Sequence, residues 1–206
     1  GIGKMQYILF DDCYMSTIEV AYELRHCTHY LIGCPTEIMA HGMPYEQLWN
    51  ELSKSNPNYQ NVVDEFYNFY STYTDPYGTI SVIDCSQADG MVNIMRQINQ
   101  SSNLVLVPPT SIQQMDGYNP SIFFDMGDYV EKRAVNEPIL LSQFRNQLNL
   151  LVSYKRHTPS YFSAVTSASG TVYPITTYSG ITISDPSVNT KVTSAFAASP
   201  YYRATH

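Results

Sequence analysis

The sequence predicts an α/β domain built on a mostly parallel sheet with helices on both faces. Three observations lead there. "KMQYILFDD" (4–12), "STIEVAYELRH" (16–26) and "THYLIGCP" (28–35) read strand, helix, strand. Within about thirty residues, that is the unit joining two parallel strands by a crossover helix. The strand stretches are apolar runs, as expected of strands buried on both faces. At 206 residues the chain suits a single domain, and no repeat, low-complexity segment or linker divides it, so 1–206 is read as one unit.

Each element follows in order. In 16–26, Ser16 or Thr17 serves as cap, Glu19 lies in the first turn, and Ile18, Ala21, Tyr22 and Leu24 recur at helical spacing. Pro35 ends the second strand. "PYEQLWNELSKS" (44–55) opens a helix with proline in its first turn, and 58–74 carries helical spacing through Val62, Phe66, Phe69 and Tyr70. "GTISVIDCS" (78–86) is a third strand, and 88–101 a helix despite Gly90. The segment 103–124 is punctuated by proline and glycine and reads as irregular. Helices are expected over 126–135 and 137–158, the second long and opened by Pro138. The stretch 172–187 alternates like one or two strands, and "SPYYRATH" (199–206) closes as a short helical turn.

Composition narrows the function. A net charge of −7 argues against nucleic acid, whose phosphates need a basic patch. No apolar stretch reaches membrane-spanning length. The four cysteines (Cys13, Cys27, Cys34, Cys85) are too scattered for a disulfide framework and form no CxxC pair for zinc. Cys85, closing a strand, reads as buried and structural.

"FDDCYM" (10–15) holds the chemistry. Two carboxylates and a thiol follow a buried strand directly, and in open α/β sheets the carboxyl ends of strands are where ligands bind. Unpaired carboxylates are costly to bury. Cys13 is therefore either a small buried hydrophobe or a nucleophile. Asp11 either caps the adjoining helix turn or faces a ligand, and Asp12 reads as solvated or capping.

Around Cys13, "YILFDDCYMSTIEVAYEL" resembles the cysteine segment of the clostripain family of cysteine peptidases: a strand, Asp-x-Cys-x-Met, then a helix with Glu and Ala-Tyr. Asp11, Cys13, Met15, Glu19, Ala21 and Tyr22 supply that signature. "YLIGCPTEIMAHGMPY", "FFDMGDYVE", "YSGITISDP" and "SPYYRATH" resemble later family segments in the same order, so the likeness spans nearly the whole chain. It implies a caspase-like three-layer α/β/α sandwich and cleavage of peptide bonds after basic residues. Cys13 is then the nucleophile and one oxyanion donor through its own N–H. Asp11 becomes the acid of the pocket for a basic P1 side chain.

Two departures follow. The family's catalytic histidine belongs to a His-Gly motif on the strand before the cysteine, and no histidine precedes Cys13 here. The expectation is a cysteine-bearing heavy chain whose upstream light-chain segment, from the same precursor, carries the base. Of the five histidines, His26 and His29 read as surface residues, His157 as the last turn of a helix, and His206 as terminal. His41-Gly42 mimics the catalytic dipeptide, but chain order puts it on the opposite flank from the family's base. There the family commonly carries an acid before a glycine, so His41 reads as a pocket residue that weakens discrimination for arginine or lysine. The substrate is expected to be a peptide or protein, with no nucleic acid partner. Calcium enters by family analogy only, and so does an extracellular or bacterial cell-envelope location. The rival reading is a catalytically degenerate caspase-like domain that binds or scaffolds, keeping the thiol without its base.

Overall fold

The computed structural model describes residues 3–165 and 169–206. In chain order the elements are β1 (Met5–Leu9), α1 (Ile18–Leu24), β2 (Thr28–Gly33), α2 (Tyr45–Leu52), α3 (Tyr59–Thr72), β3 (Thr79–Asp84), α4 (Ala88–Gln100), β4 (Phe123–Asp125), α5 (Met126–Arg133), α6 (Pro138–Leu151), β5 (Val152–His157), β6 (Ser160–Ser163), β7 (Thr171–Pro174), β8 (Thr182–Ser184), α7 (Thr193–Ala198) and α8 (Pro200–Thr205).

Strand side chains point alternately to the two faces of a sheet. In β2, Leu31 joins one apolar cluster and Ile32 the other; in β3, Ile83 joins the first and Ile80 and Val82 the second. The first cluster is filled by Ile18 and Ala21 of α1, Met91 and Met95 of α4, Phe144 of α6 and Tyr201 of α8. Leu48 of α2 with Val62, Phe66 and Tyr70 of α3 fills the second. Two cores on one sheet make the expected three-layer α/β/α sandwich. Each fully buried Leu, Ile or Phe contributes roughly 1.5–3 kcal/mol.

The central sheet has four strands in the order β1-β2-β3-β5. β1 pairs parallel with β2 (Met5 opposite Thr28, Leu9 opposite Ile32), while β2–β3 and β3–β5 are antiparallel. β1, β2 and β5 therefore run the same way, and β3 runs against them. Connection length explains this: one helix between β1 and β2 returns the chain to its starting end, whereas two, α2 and α3, leave it at the end it left. The outer edge of β1 pairs with no other described strand, and Met5 is 44% exposed.

The helix expected over 137–158 is shorter than the sequence suggests. α6 stops at Leu151 and β5 begins at Val152 with no glycine or proline between them. Its side chains, exposed from Ser153 to Arg156, hide the alternation that marks a strand. His157 accordingly ends a strand, not a helix. The sequence also failed to show β6, which pairs with β7 as a hairpin, and β4, which pairs with β8. Thr17 proves to be the α1 cap, accepting from the Val20 N–H at 3.1 Å. Gly90 sits where α4 crosses α6: a Cβ there would meet the Gln147 side chain at 2.7 Å. No helix is long and apolar enough to cross a membrane among the described residues.

Candidate active site

Where the parallel strand pair ends, two loops run on side by side. The Phe10 N–H donates to Ile32 O at 2.9 Å, Tyr14 to Thr36 O at 3.1 Å and Ser16 to Cys34 O at 3.3 Å. From behind, β8 braces the first loop, Thr182 N–H donating to Ser16 O at 2.9 Å. Cys13 is thus carried at the carboxyl end of β1 on a segment tied at both ends to rigid structure.

The next residue turns the chain. Tyr14 has φ +60°, a left-handed conformation that costs a non-glycine residue roughly 1–2 kcal/mol. Besides the Thr36 bond, its ring stacks on Phe123 with centroids 4.9 Å apart, and its hydroxyl donates to Glu37 Oε1 at 2.6 Å. Glu37 also accepts from the Ser163 hydroxyl, and from the Ala164 N–H at 2.9 Å. One carboxylate therefore joins the Cys13 loop, the second loop and the β6–β7 hairpin. Sequence reading missed Glu37, because two of its three partners lie 126 and 127 residues away.

Cys13 is half-buried, and its Sγ lies 4.0 Å from Ile38 O on the second loop. Burial pushes the thiol pKa up, and the charges of Glu37 and Asp12 push the same way. Left to these neighbours, the sulfur holds its proton at neutral pH. Among the described residues no histidine is hydrogen-bonded to it. The other three cysteines are free; Cys34 and Cys85 are buried, Cys85 with its pKa pushed to about 11 by burial, and Cys27 is exposed.

Asp11 does not cap α1. Its Oδ1 accepts from the Met43 N–H at 2.8 Å, and the carboxylate lies against Gly42, where a Cβ would meet Oδ1 at 2.7 Å. Gly42 has φ +67°, and Tyr70 donates its hydroxyl to Gly42 O at 2.7 Å. The 34–45 loop therefore folds over the exposed Asp11 carboxylate, one residue from His41. That histidine is exposed, and its Nε2 lies 2.8 Å from the Tyr73 hydroxyl. Asp12 is exposed too, but is not simply solvated: its Oδ1 accepts from the Cys13 N–H at 2.8 Å. His26 and His29 are exposed, as expected.

Glu19, part of the cysteine-segment signature, is structural here. Its Oε1 accepts from Ser184 N–H at 2.9 Å, tying α1 to β8, while Oε2 has no partner among the described residues. Burial raises its pKa to about 7. Asp125 of "FFDMGDYVE" caps α5, accepting from the Asp128 N–H at 2.9 Å. Among the described residues no three His, Cys, Asp or Glu side chains gather as a metal site would require.

A model of the clostripain family matches residues 2–192. A clostripain from Bacteroides thetaiotaomicron ATCC 29148, solved in complex with the peptide inhibitor BTN-VLTK-AOMK, is 46% identical, with a TM-score of 0.90 over 98% of this chain and 88% of that one. A secreted cysteine protease from Bacteroides thetaiotaomicron, iotapain, is also 46% identical, with a TM-score of 0.89 over 98% of this chain and 56% of that one. An inactive zymogen from Parabacteroides distasonis is 31% identical, with a TM-score of 0.89 over 98% of this chain and 59% of that one. The chain thus spans little more than half the length of the last two. No match to a curated protein was found.

Proposed function

This chain belongs to the clostripain family of cysteine peptidases, and we propose that it carries the nucleophile of an endopeptidase cleaving after lysine or arginine. One observation carries the reading: Cys13 follows the parallel strand pair at the sheet's edge, on a left-handed turn braced by Thr36 and Glu37, with the Asp11 carboxylate two residues away.

In the proposed reaction Sγ of Cys13 attacks the scissile carbonyl carbon, and its proton passes to a histidine supplied by an upstream segment. The carbonyl oxygen becomes an oxyanion held by the Cys13 N–H. Collapse expels the amine, which takes the proton from the histidine and leaves a thioester. Water, losing its proton to the same histidine, then releases the acid and restores the thiol. The raised thiol pKa supports the need for such a base. The open edge of β1 supports a further strand docking there. A longer zymogen among the similar structures fits a processed precursor.

For specificity, Asp11 is the anchor of a basic P1 side chain. The similar clostripain was solved with an inhibitor whose peptide, VLTK, ends in lysine. Secreted relatives support an exported bacterial protease.

The test uses the protein assembled with its upstream segment. An acyloxymethyl ketone with a P1 lysine is expected to label Cys13, and Cys13→Ala to abolish labelling and turnover. Label on Cys27, Cys34 or Cys85 would mean another thiol reacts. No label and no turnover in the assembled wild type would favour the degenerate, binding-domain reading.

A further inference from the structure

We propose that Asp12 is the gate of the oxyanion hole: its carboxylate occupies the position on the Cys13 N–H that the substrate's carbonyl oxygen must take, and it has to swing away before acyl transfer. The inference rests on the peptidase reading given above and goes beyond it.

The geometry is direct. Asp12 Oδ1 lies 2.8 Å from the Cys13 nitrogen. An oxyanion is stabilised by donors about 2.7–3.1 Å away, so the carboxylate oxygen lies at the distance from this nitrogen that an oxyanion would take. A backbone N–H has one hydrogen, so two acceptors cannot both have it in good geometry. Sharing is worse than exclusion, since the incoming oxygen gains negative charge beside a carboxylate. The neighbouring donor offers no substitute: the Tyr14 N–H is committed to Thr36 O at 3.1 Å.

Asp12 is free to move. It is exposed, and the Cys13 N–H is the partner of its carboxylate among the described hydrogen bonds. The adjacent Asp11 is differently placed, with its carboxylate held on Met43 and against Gly42. The two acids of "FDDCYM" therefore have separate duties, one in the P1 pocket and one on the nucleophile's backbone. Asp12 also acts on the sulfur, its charge adding to the effect of burial in keeping the thiol protonated. Opening the gate removes both restraints together.

The test separates oxyanion binding from thiol reactivity. A peptidyl aldehyde ending in arginine adds to the thiol and creates an oxyanion. Iodoacetamide alkylates the same sulfur by displacing iodide and creates none. Both are measured on the complete protein with its upstream segment, for wild type, Asp12→Ala and Asp12→Asn, with Tm recorded for each. In Asp12→Ala the aldehyde Ki is expected to fall and kcat/KM to rise by roughly tenfold, the scale of one charge-assisted hydrogen bond no longer broken. The iodoacetamide rate is expected to rise by no more than about threefold, through the lost charge alone. Asp12→Asn keeps an acceptor on the N–H and is expected to fall between. An unchanged or weaker aldehyde affinity in Asp12→Ala, with Cys13 still alkylated and turning over substrate, would overturn the gate and leave the peptidase standing. So would equal changes with both reagents. Wild-type protein that neither binds the aldehyde nor turns over a basic peptide would overturn both readings.

Discussion

Gly42 has two reasons to be glycine. Its φ of +67° is one that side chains adopt at a cost of roughly 1–2 kcal/mol, and a Cβ would meet the Asp11 carboxylate at 2.7 Å. Gly42→Ala is therefore expected to displace Asp11 as well as to strain the loop. Its signature is a KM for P1-arginine substrates raised about tenfold with kcat little changed; an unaltered KM would remove Asp11 from the P1 pocket. His41, one residue earlier, is exposed against Tyr73. A carboxylate there adds a second charge-assisted contact for a basic P1 group, so His41→Asp should improve arginine selectivity roughly tenfold. A P1 substrate library on both proteins measures it. Strict selectivity in the wild type, unimproved by the aspartate, would show that His41 does not line the pocket.

Among the elements, α1 is short and directly follows the loop that carries Cys13. Its seven residues leave little intrahelical bonding to spare, so the Thr17 cap matters more than in a longer helix. Thr17→Ala should lower stability by about 1 kcal/mol, read in urea unfolding, with the loss of activity no greater than the loss of folded protein. Glu19 of the same helix sets a pH dependence. Its folded pKa of about 7 exceeds the usual carboxylate value of 4.5, so the folded state holds the proton more tightly. The stability from this proton is fully present below pH 4.5 and is lost as pH rises to about 7. The loss is on the order of 3 kcal/mol from the size of that shift. In Glu19→Gln the fall in Tm between pH 5 and pH 8 should shrink markedly; an unchanged fall would place the titration elsewhere.

At the scale of the whole molecule, β1 presents an outer edge that pairs with no other described strand. A strand with an unpaired edge and partly exposed apolar side chains is a template for another strand. The 206 residues alone are expected to be at least about a hundredfold less active than the same chain refolded with the upstream segment, the scale on which general-base catalysis contributes. Comparable turnover without that segment would mean that the base lies within this chain.

Much of this was legible from residue order alone. The β1–α1–β2 unit declared itself because a crossover helix needs only local signals: two apolar runs, a capping residue and helical spacing between them. The place of Cys13 was legible for the same reason, since a residue just past the first strand of that unit must emerge at the sheet's carboxyl end. β5 was not, because an edge strand needs no apolar alternation to stay in place once β3 pairs with it. Nor was the bracing of the Cys13 loop. Tyr14 meets Glu37 across 23 residues, but Ser163 reaches the same carboxylate from β6, 126 residues away. The different settings of Asp11 and Asp12 were equally hidden, since adjacent carboxylates look alike in sequence. In the structure the loop before α2 holds Asp11 through the Met43 N–H, while Asp12 accepts from the Cys13 N–H. Local chemistry determined which residues could act; long-range packing decided what each one faces, because contacts distant in sequence leave no periodic trace in it.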